Sequence, residues 1–188
     1  RSANADWQAQ GIGILDFSKM DKILEINGED MYVTVQAGVT WKQLYEALSP
    51  LGLRTPFWGP LSGIISTIGG GVSQNNAFFG GGKYGASSES VLSVKVVTAD
   101  GTVINTGSAA NQNGKPFFRP YGPDTTGMFL GDAGALGYKA EITLRLIPMP
   151  THFDCASFDF KTADGFSKAL AEIYRTGLAC EAFGFDPN

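Results

Sequence analysis

The chain has 188 residues, 43% of them hydrophobic and 12% aromatic, which is enough apolar material for a buried core and too much for a disordered chain. Its 14 basic and 18 acidic residues leave a net charge of −4 with no basic run suited to a polynucleotide, and no stretch approaches the roughly 20 continuous apolar residues of a membrane span. Nucleic-acid binding and a membrane span are therefore set aside, and the polar start Arg1–Gln10, without a visible signal peptide, gives the expectation of a soluble cytoplasmic protein.

In chain order, Ile14 to Ile26 mixes apolar and charged residues and leads into Met31 to Val39, where Val33, Val35 and Ala37 alternate with Thr34 and Gln36. That period of two predicts a strand with one buried face. Thr40 then precedes Trp41, Leu44, Tyr45 and Leu48 at helical spacing, and Gln43 stands where a capping box needs it. Pro50 and Gly52 end this short helix.

From Arg54 to Ser90 periodicity disappears among Gly, Ser, Asn and Pro, the pattern of a long functional loop. Val91 to Thr98 reads as a strand reaching the Asp100-Gly101 turn, with Thr102 to Asn105 returning as a hairpin. Asn111 to Thr126, with three prolines, reads as loop. Ala140 to Ile147 alternates again and is stopped by Pro148 and Pro150, which places a domain boundary there. Beyond it, Ala156 to Phe160 predicts a strand, Phe166, Ala169, Leu170, Ile173 and Tyr174 a helix, and Ala182 to Phe185 a further strand. Cys155 and Cys180 form no metal-binding pattern; two buried free thiols are expected, with a disulfide as the alternative.

The 25 glycines, about twice the usual share, are clustered. The first cluster runs Ser66-Thr67-Ile68-Gly69-Gly70-Gly71-Val72-Ser73-Gln74-Asn75-Asn76 and continues into Gly80-Gly81-Gly82-Lys83-Tyr84-Gly85. Glycines let a backbone approach a ligand, successive N–H groups can form a nest for anionic oxygens, and Ser66, Thr67, Ser73, Gln74 and Asn75 add neutral donors. A pyrophosphate suits that lining. Two familiar phosphate motifs fail: Gly82-Lys83 is followed by Tyr84 and preceded five places earlier by Ala77, so there is no P-loop. Gly69 and Gly71 are followed by Gln74, and Gly11-Ile12-Gly13 ends in Asp16, so neither makes a dinucleotide fingerprint.

Five segments in order carry a resemblance: Val33-Thr34-Val35-Gln36-Ala37-Gly38-Val39-Thr40, Thr67-Ile68-Gly69-Gly70-Gly71, Tyr84-Gly85, Val94-Lys95-Val96-Val97-Thr98-Ala99-Asp100-Gly101 and Gly131-Asp132-Ala133-Gly134-Ala135-Leu136-Gly137. Together with Asp16-Phe17-Ser18-Lys19-Met20, they resemble the PCMH-type FAD-binding domain of the vanillyl-alcohol oxidase superfamily over roughly Ile14 to Pro148, nearest to D-2-hydroxyacid dehydrogenases and the glycolate oxidase FAD subunit. The resemblance implies an α+β fold with a mixed or antiparallel sheet and flanking helices, FAD as cofactor, and no metal. It implies that residues 1–148 form the FAD-binding domain and that residues 151–188 begin a substrate cap.

The resemblance also implies that Ser66, Thr67, Ile68, Gly69, Gly70, Gly71, Ser73, Gln74 and Asn75 wrap the pyrophosphate and ribityl chain. Tyr84 and Gly85 would lie against the cofactor, and Gly134, Gly137 and Tyr138 would line it from the second cluster. The family's acidic residue before the second glycine of that cluster is replaced here by Ala133, with Asp132 one place earlier. No earlier pyrophosphate loop precedes Asp16 and the cap is short, so a fragment is expected, and no catalytic residue is identified. The implied reaction is oxidation of a small 2-hydroxy acid such as glycolate or D-lactate, with an electron-acceptor partner or a homo-oligomer as further expectations. Alternatives are an alcohol or sugar oxidase of the same superfamily and a cofactor-less interaction domain.

Residues outside the motifs read more plainly. Trp41 is expected in the core, whereas Trp58, Phe78 and Phe79 suit either core or flavin stacking. Lys83 suits a phosphate or solvent, Arg119 a carboxylate or a structural role, Gly80 to Gly82 a cofactor contact or a free loop, and His152 an exposed linker.

Overall fold

A computed structural model describes residues 15–185; the polar start Arg1–Gln10, the Gly11-Ile12-Gly13 segment, Ile14 and residues 186–188 lie outside the described residues. The chain opens with the antiparallel strands β1 (Ile23–Asn27) and β2 (Tyr32–Gln36), followed by helix α1 (Trp41–Leu48) and the two-residue strand β3 (Leu53–Arg54). Helices α2 (Ile68–Gln74) and α3 (Gly81–Tyr84) come next, then the β4 (Val91–Val97) and β5 (Val103–Asn105) hairpin. Strand β6 (Tyr138–Arg145), strand β7 (Ile147–Pro148) and helix α4 (Ala163–Arg175) complete the described chain.

Five strands form one antiparallel sheet in the order β1-β2-β6-β4-β5, so β6 inserts between elements more than 40 residues earlier in the chain. Alternation decides the faces: Val33 and Val35 of β2 stand opposite Leu144 and Ile142 of β6, and Val94 of β4 opposite Ile142. These side chains are buried beneath Trp41, Leu44 and Leu48 of α1 and Ile68 and Val72 of α2. On the other face Thr34 and Thr143 share a 2.9 Å hydroxyl contact, and Lys95 pairs with Glu141 at 2.7 Å. The helix α1 starts as its sequence requires, with Gln43 N donating to Thr40 Oγ1 at 3.1 Å and Thr40 N donating to Gln43 Oε1 at 2.8 Å.

Three expectations are corrected. The 54–90 stretch is not all loop, because it contains β3, α2 and α3. Helix α2 is hard to see in the sequence because Gly69 and Gly71 make up half of its buried face and only Ile68 and Val72 contribute apolar side chains. Residues 156–160 and 182–185 form no strands; the described sheets give them no pairing partner, and 156–160 are exposed throughout. The cysteines are not buried: Cys155 is exposed and Cys180 half-buried, and both are free, because residues 151–185 contribute nothing to the core cluster. No helix of the described residues is long and apolar enough to cross a membrane.

Candidate functional site

The three glycines of α2 do different work. Gly69 lies against β2's extension: its N–H donates to Ala37 O at 2.9 Å, and a Cβ there would stand 2.7 Å from the Ala37 Cβ. Gly71 faces inward, where a Cβ would come 2.9 Å from Asn76 Nδ2 and 3.0 Å from Trp41 Nε1. Gly70 points out; an added Cβ would meet only Thr67 Oγ1, at 3.2 Å. Close packing therefore explains Gly69 and Gly71 but not Gly70.

The N–H groups at the start of α2 are occupied. Ile68 N donates to Val39 O at 2.8 Å, Gly70 N to the capping Thr67 Oγ1 at 3.2 Å, and Gly71 N to Thr67 O at 2.9 Å. What this segment offers a ligand is thus a side-chain-free surface at Gly70 edged by Thr67, Ser73, Gln74 and Asn75, not a row of free amides. The Ile68 side chain itself is in the core.

The second glycine cluster docks directly on the end of α2. Gly131 N donates to Val72 O at 3.0 Å and Ala133 N to Ser73 O at 2.9 Å. Asp132 organises the turn, accepting from Gly134 N at 3.0 Å and Leu136 N at 3.2 Å and pairing with the buried Lys139 ammonium. Burial pushes the Asp132 carboxyl up, but its bonds to Lys139, Gly134 and Leu136 outweigh that and hold it below the usual carboxylate range. Gly134, at φ +83°, has nothing within 4 Å of a would-be Cβ, whereas one at Gly137 would strike Val96 Cγ1 at 2.5 Å. Tyr138 is half-exposed, its ring 6.0 Å from that of Phe17. Two glycine segments far apart in sequence thus become adjacent walls, each with one open glycine.

The family model described as an FAD binding domain matches residues 2–107. This chain belongs to the FAD binding domain family. It is 38% identical over 160 residues to the glycolate oxidase subunit GlcD of Bacillus subtilis, covering 85% of this chain and 33% of that protein. It is 30% identical over 170 residues to a probable mitochondrial D-lactate dehydrogenase of Danio rerio, covering 90% of this chain and 33% of that protein. A mitochondrial D-lactate dehydrogenase [cytochrome] of Kluyveromyces lactis is 33% identical over 173 residues, covering 90% and 28% respectively. Among solved structures, an alkyldihydroxyacetonephosphate synthase superposes with a TM-score of 0.58 at 24% identity, over 72% of this chain and 23% of that one, which supports the PCMH-type fold. The chain spans about a third of the length of the first two of these curated relatives.

The cofactor of an FAD binding domain is FAD, and the residues present suit it. A pyrophosphate needs backbone that comes close and no unpaired carboxylate. Gly70 and Gly134 supply the first, and the nearby Asp132 carboxylate is already neutralised by Lys139.

The remaining candidates separate. Gly80 to Gly82 are not a free loop: a Cβ on Gly80 would lie 2.3 Å from Pro56 O, one on Gly82 would lie 2.3 Å from the Tyr174 ring, and Gly82 N donates to Glu181 Oε2 at 3.2 Å. Tyr84 sits 5.9 Å from the Arg54 guanidinium and 5.8 Å from Lys83 Nζ. A backbone bond from Ser87 N to Asn76 O, 2.9 Å long, ties the segment after Gly85 to the end of the first wall. Trp41 is core, while Trp58 stacks on Phe79 at 6.1 Å and Phe78 packs 5.1 Å from Phe183. Arg119 is consumed by Asp124 at 2.9 Å and Ser88 O at 2.7 Å, and His152 is exposed. Arg54 went unnoticed in the sequence; its one signal is a lone charge between Leu53 and the Thr55-Pro56-Phe57-Trp58 run.

Proposed function

We propose that this chain forms one side of the FAD site in an oxidoreductase that oxidises a small 2-hydroxy acid of the glycolate or D-lactate kind. The observation that carries the site is the docking of Gly131 and Ala133 on Val72 and Ser73, which sets the two open glycines on adjoining walls. On this reading Ser66, Thr67, Ile68, Gly69, Gly70, Gly71, Ser73, Gln74 and Asn75 line the pyrophosphate and ribityl chain, Ile68, Gly69 and Gly71 acting through shape and backbone. Gly134, Gly137 and Tyr138 form the second wall, and Tyr84 with Gly85 the side toward the reacting ring. The substrate class is supported by the names of the relatives, a glycolate oxidase subunit and D-lactate dehydrogenases.

A bound flavin supplies the hydride acceptor, and the chain's part is to bind, orient and shield it. We infer that residues 1–148 are the cofactor unit and that residues 151–188 belong to a substrate-covering unit; the lack of core residues beyond Leu146 among the described residues supports that division. The word cytochrome in the name of one relative makes a haem protein the acceptor to test beside oxygen.

The test is anaerobic spectroscopy of the full-length protein purified with FAD. A two-banded flavin spectrum that bleaches on adding glycolate or D-lactate is expected. A protein that folds but takes up no FAD would overturn the reading, and bleaching only by alcohols or sugars would move the substrate to that class.

A further inference from the structure

Two arginines among the described residues, Arg54 and the less buried Arg145, have a buried Nε without a partner, and Arg54 is the more deeply buried. It lies on β3, its residue surface is only 8% exposed, and a guanidinium stays charged at any pH at which the protein folds. Yet none of the ion pairs among the described residues includes it, although Lys139, the other buried basic residue among them, has a carboxylate. Its Nε is buried without a hydrogen-bond partner, and Nη2 has only the Cys180 thiol at 3.9 Å, a weak acceptor. A desolvated cation without an anion is unfavourable, so the site as it stands is unfinished.

The surroundings say what would finish it. The guanidinium carbon lies 4.2 Å from the centre of the Trp58 ring and 5.9 Å from that of Tyr84. With Trp58 over the guanidinium, the unpartnered Nε and the weakly engaged Nη2 are the donors left for a ligand once Cys180 moves aside. Two parallel N–H groups on one edge match the two oxygens of a carboxylate. Cys180 stands at that edge on a segment with little buried surface, so a ligand can displace it. Arg54 shares no hydrogen bond with either glycine wall and touches instead the Tyr84 side, where the reacting ring is proposed.

We propose that Arg54 is the anchor for the carboxylate of the hydroxy-acid substrate, taking it bidentately through Nε and Nη2. This rests on the functional reading above and adds the residue that selects acids over plain alcohols. Arg54 binds the substrate's non-reacting end and thereby orients its α-carbon.

Oxalate tests it without turnover, because it has the carboxylates but no α C–H. In the full-length FAD-loaded protein, oxalate is titrated against the flavin difference spectrum and tryptophan fluorescence for the wild type, Arg54→Met and Arg54→Lys. Expected is an oxalate affinity weakened about 10- to 100-fold in Arg54→Met, as for loss of a charge-assisted bond. Arg54→Lys, which keeps the charge but not the fork, falls between. FAD content should be unchanged, and ligand-free Arg54→Met should melt no lower than wild type, since it removes an unpaired buried charge. Unchanged oxalate affinity in both variants overturns the proposal, as does lost FAD with oxalate binding intact, which would assign Arg54 to a cofactor phosphate. If Arg54→Met does not fold, an unaltered Arg54→Lys alone overturns it. Oxalate binding that depends on Arg54 in a protein no hydroxy acid reduces would sink the substrate reading and leave the anion site standing.

Discussion

The Lys139 ammonium meets the Asp132 carboxylate inside the second glycine turn, with side chains only 2% and 5% exposed. A buried pair adds little compared with apolar residues of the same shape, but breaking it by removing one member strands the other charge. Asp132→Ala should therefore cost about 3–5 kcal/mol, measured as a shift in urea midpoint at constant slope. Because the lost turn is also the second wall, FAD uptake should fall with it.

The same carboxylate sets a pH dependence. Its folded pKa is depressed, so its contribution is fully present above the unfolded value and is lost as pH falls from there toward the folded one. With an ordinary carboxylate near 4, wild type should lose this increment from about pH 4 downward. Asp132→Asn should begin less stable at neutral pH and show a flatter acid limb. Parallel acid limbs for the two proteins would contradict the pairing.

Gly70 and Gly69 are neighbours with opposite expected phenotypes. Gly70→Val adds a side chain where only Thr67 Oγ1 is near, so the folded state should tolerate it while FAD affinity drops. Gly69→Ala drives a Cβ to 2.7 Å from the Ala37 Cβ, so it should lower the melting temperature first, with FAD content following stability. Flavin content and melting temperature measured on both variants separate the two; unchanged flavin in Gly70→Val would count against the placement of the first wall.

The sheet was legible because Met31–Val39 and Ala140–Ile147 alternate with period two and one sheet face is apolar, so their registers follow from burial. The helix α1 was legible through Thr40 and Gln43. Helix α2 was not, since its one apolar pair at helical spacing, Ile68 and Val72, is separated by three glycines, of which Gly69 and Gly71 pack by having no side chain. The same physics disguised Gly80 to Gly82, which look mobile in sequence and are held by Pro56, Trp58 and Tyr174. The Asp132–Lys139 pair and the orphaned Arg54 are facts of burial, which residue type alone does not reveal.

The last relationship is between Tyr174 and the third of those glycines. The Tyr174 hydroxyl lies 2.9 Å from Glu181 Oε1 and 2.7 Å from Ala182 O, and Glu181 Oε2 accepts from Gly82 N. Burial raises the Tyr174 pKa; the Ala182 N–H, which donates to the hydroxyl oxygen at 3.0 Å, opposes that and Glu181 adds to it, so the hydroxyl remains neutral at neutral pH. Helix α4 places no residue in the core, and this contact ties residues 174–182 to α3. Tyr174→Phe should cost about 1–2 kcal/mol locally, as for one donated and one accepted hydrogen bond, and Gly82→Ala, which pushes a Cβ to 2.3 Å from the ring, should open the contact more. Both should speed tryptic cleavage after Arg175 and amide exchange at Gly82 while the sheet's melting temperature barely moves. Cleavage at the wild-type rate in both variants would show that something other than Tyr174 holds the segment. A lower melting temperature of the whole domain would mean that α4 belongs to the same cooperative unit as the sheet.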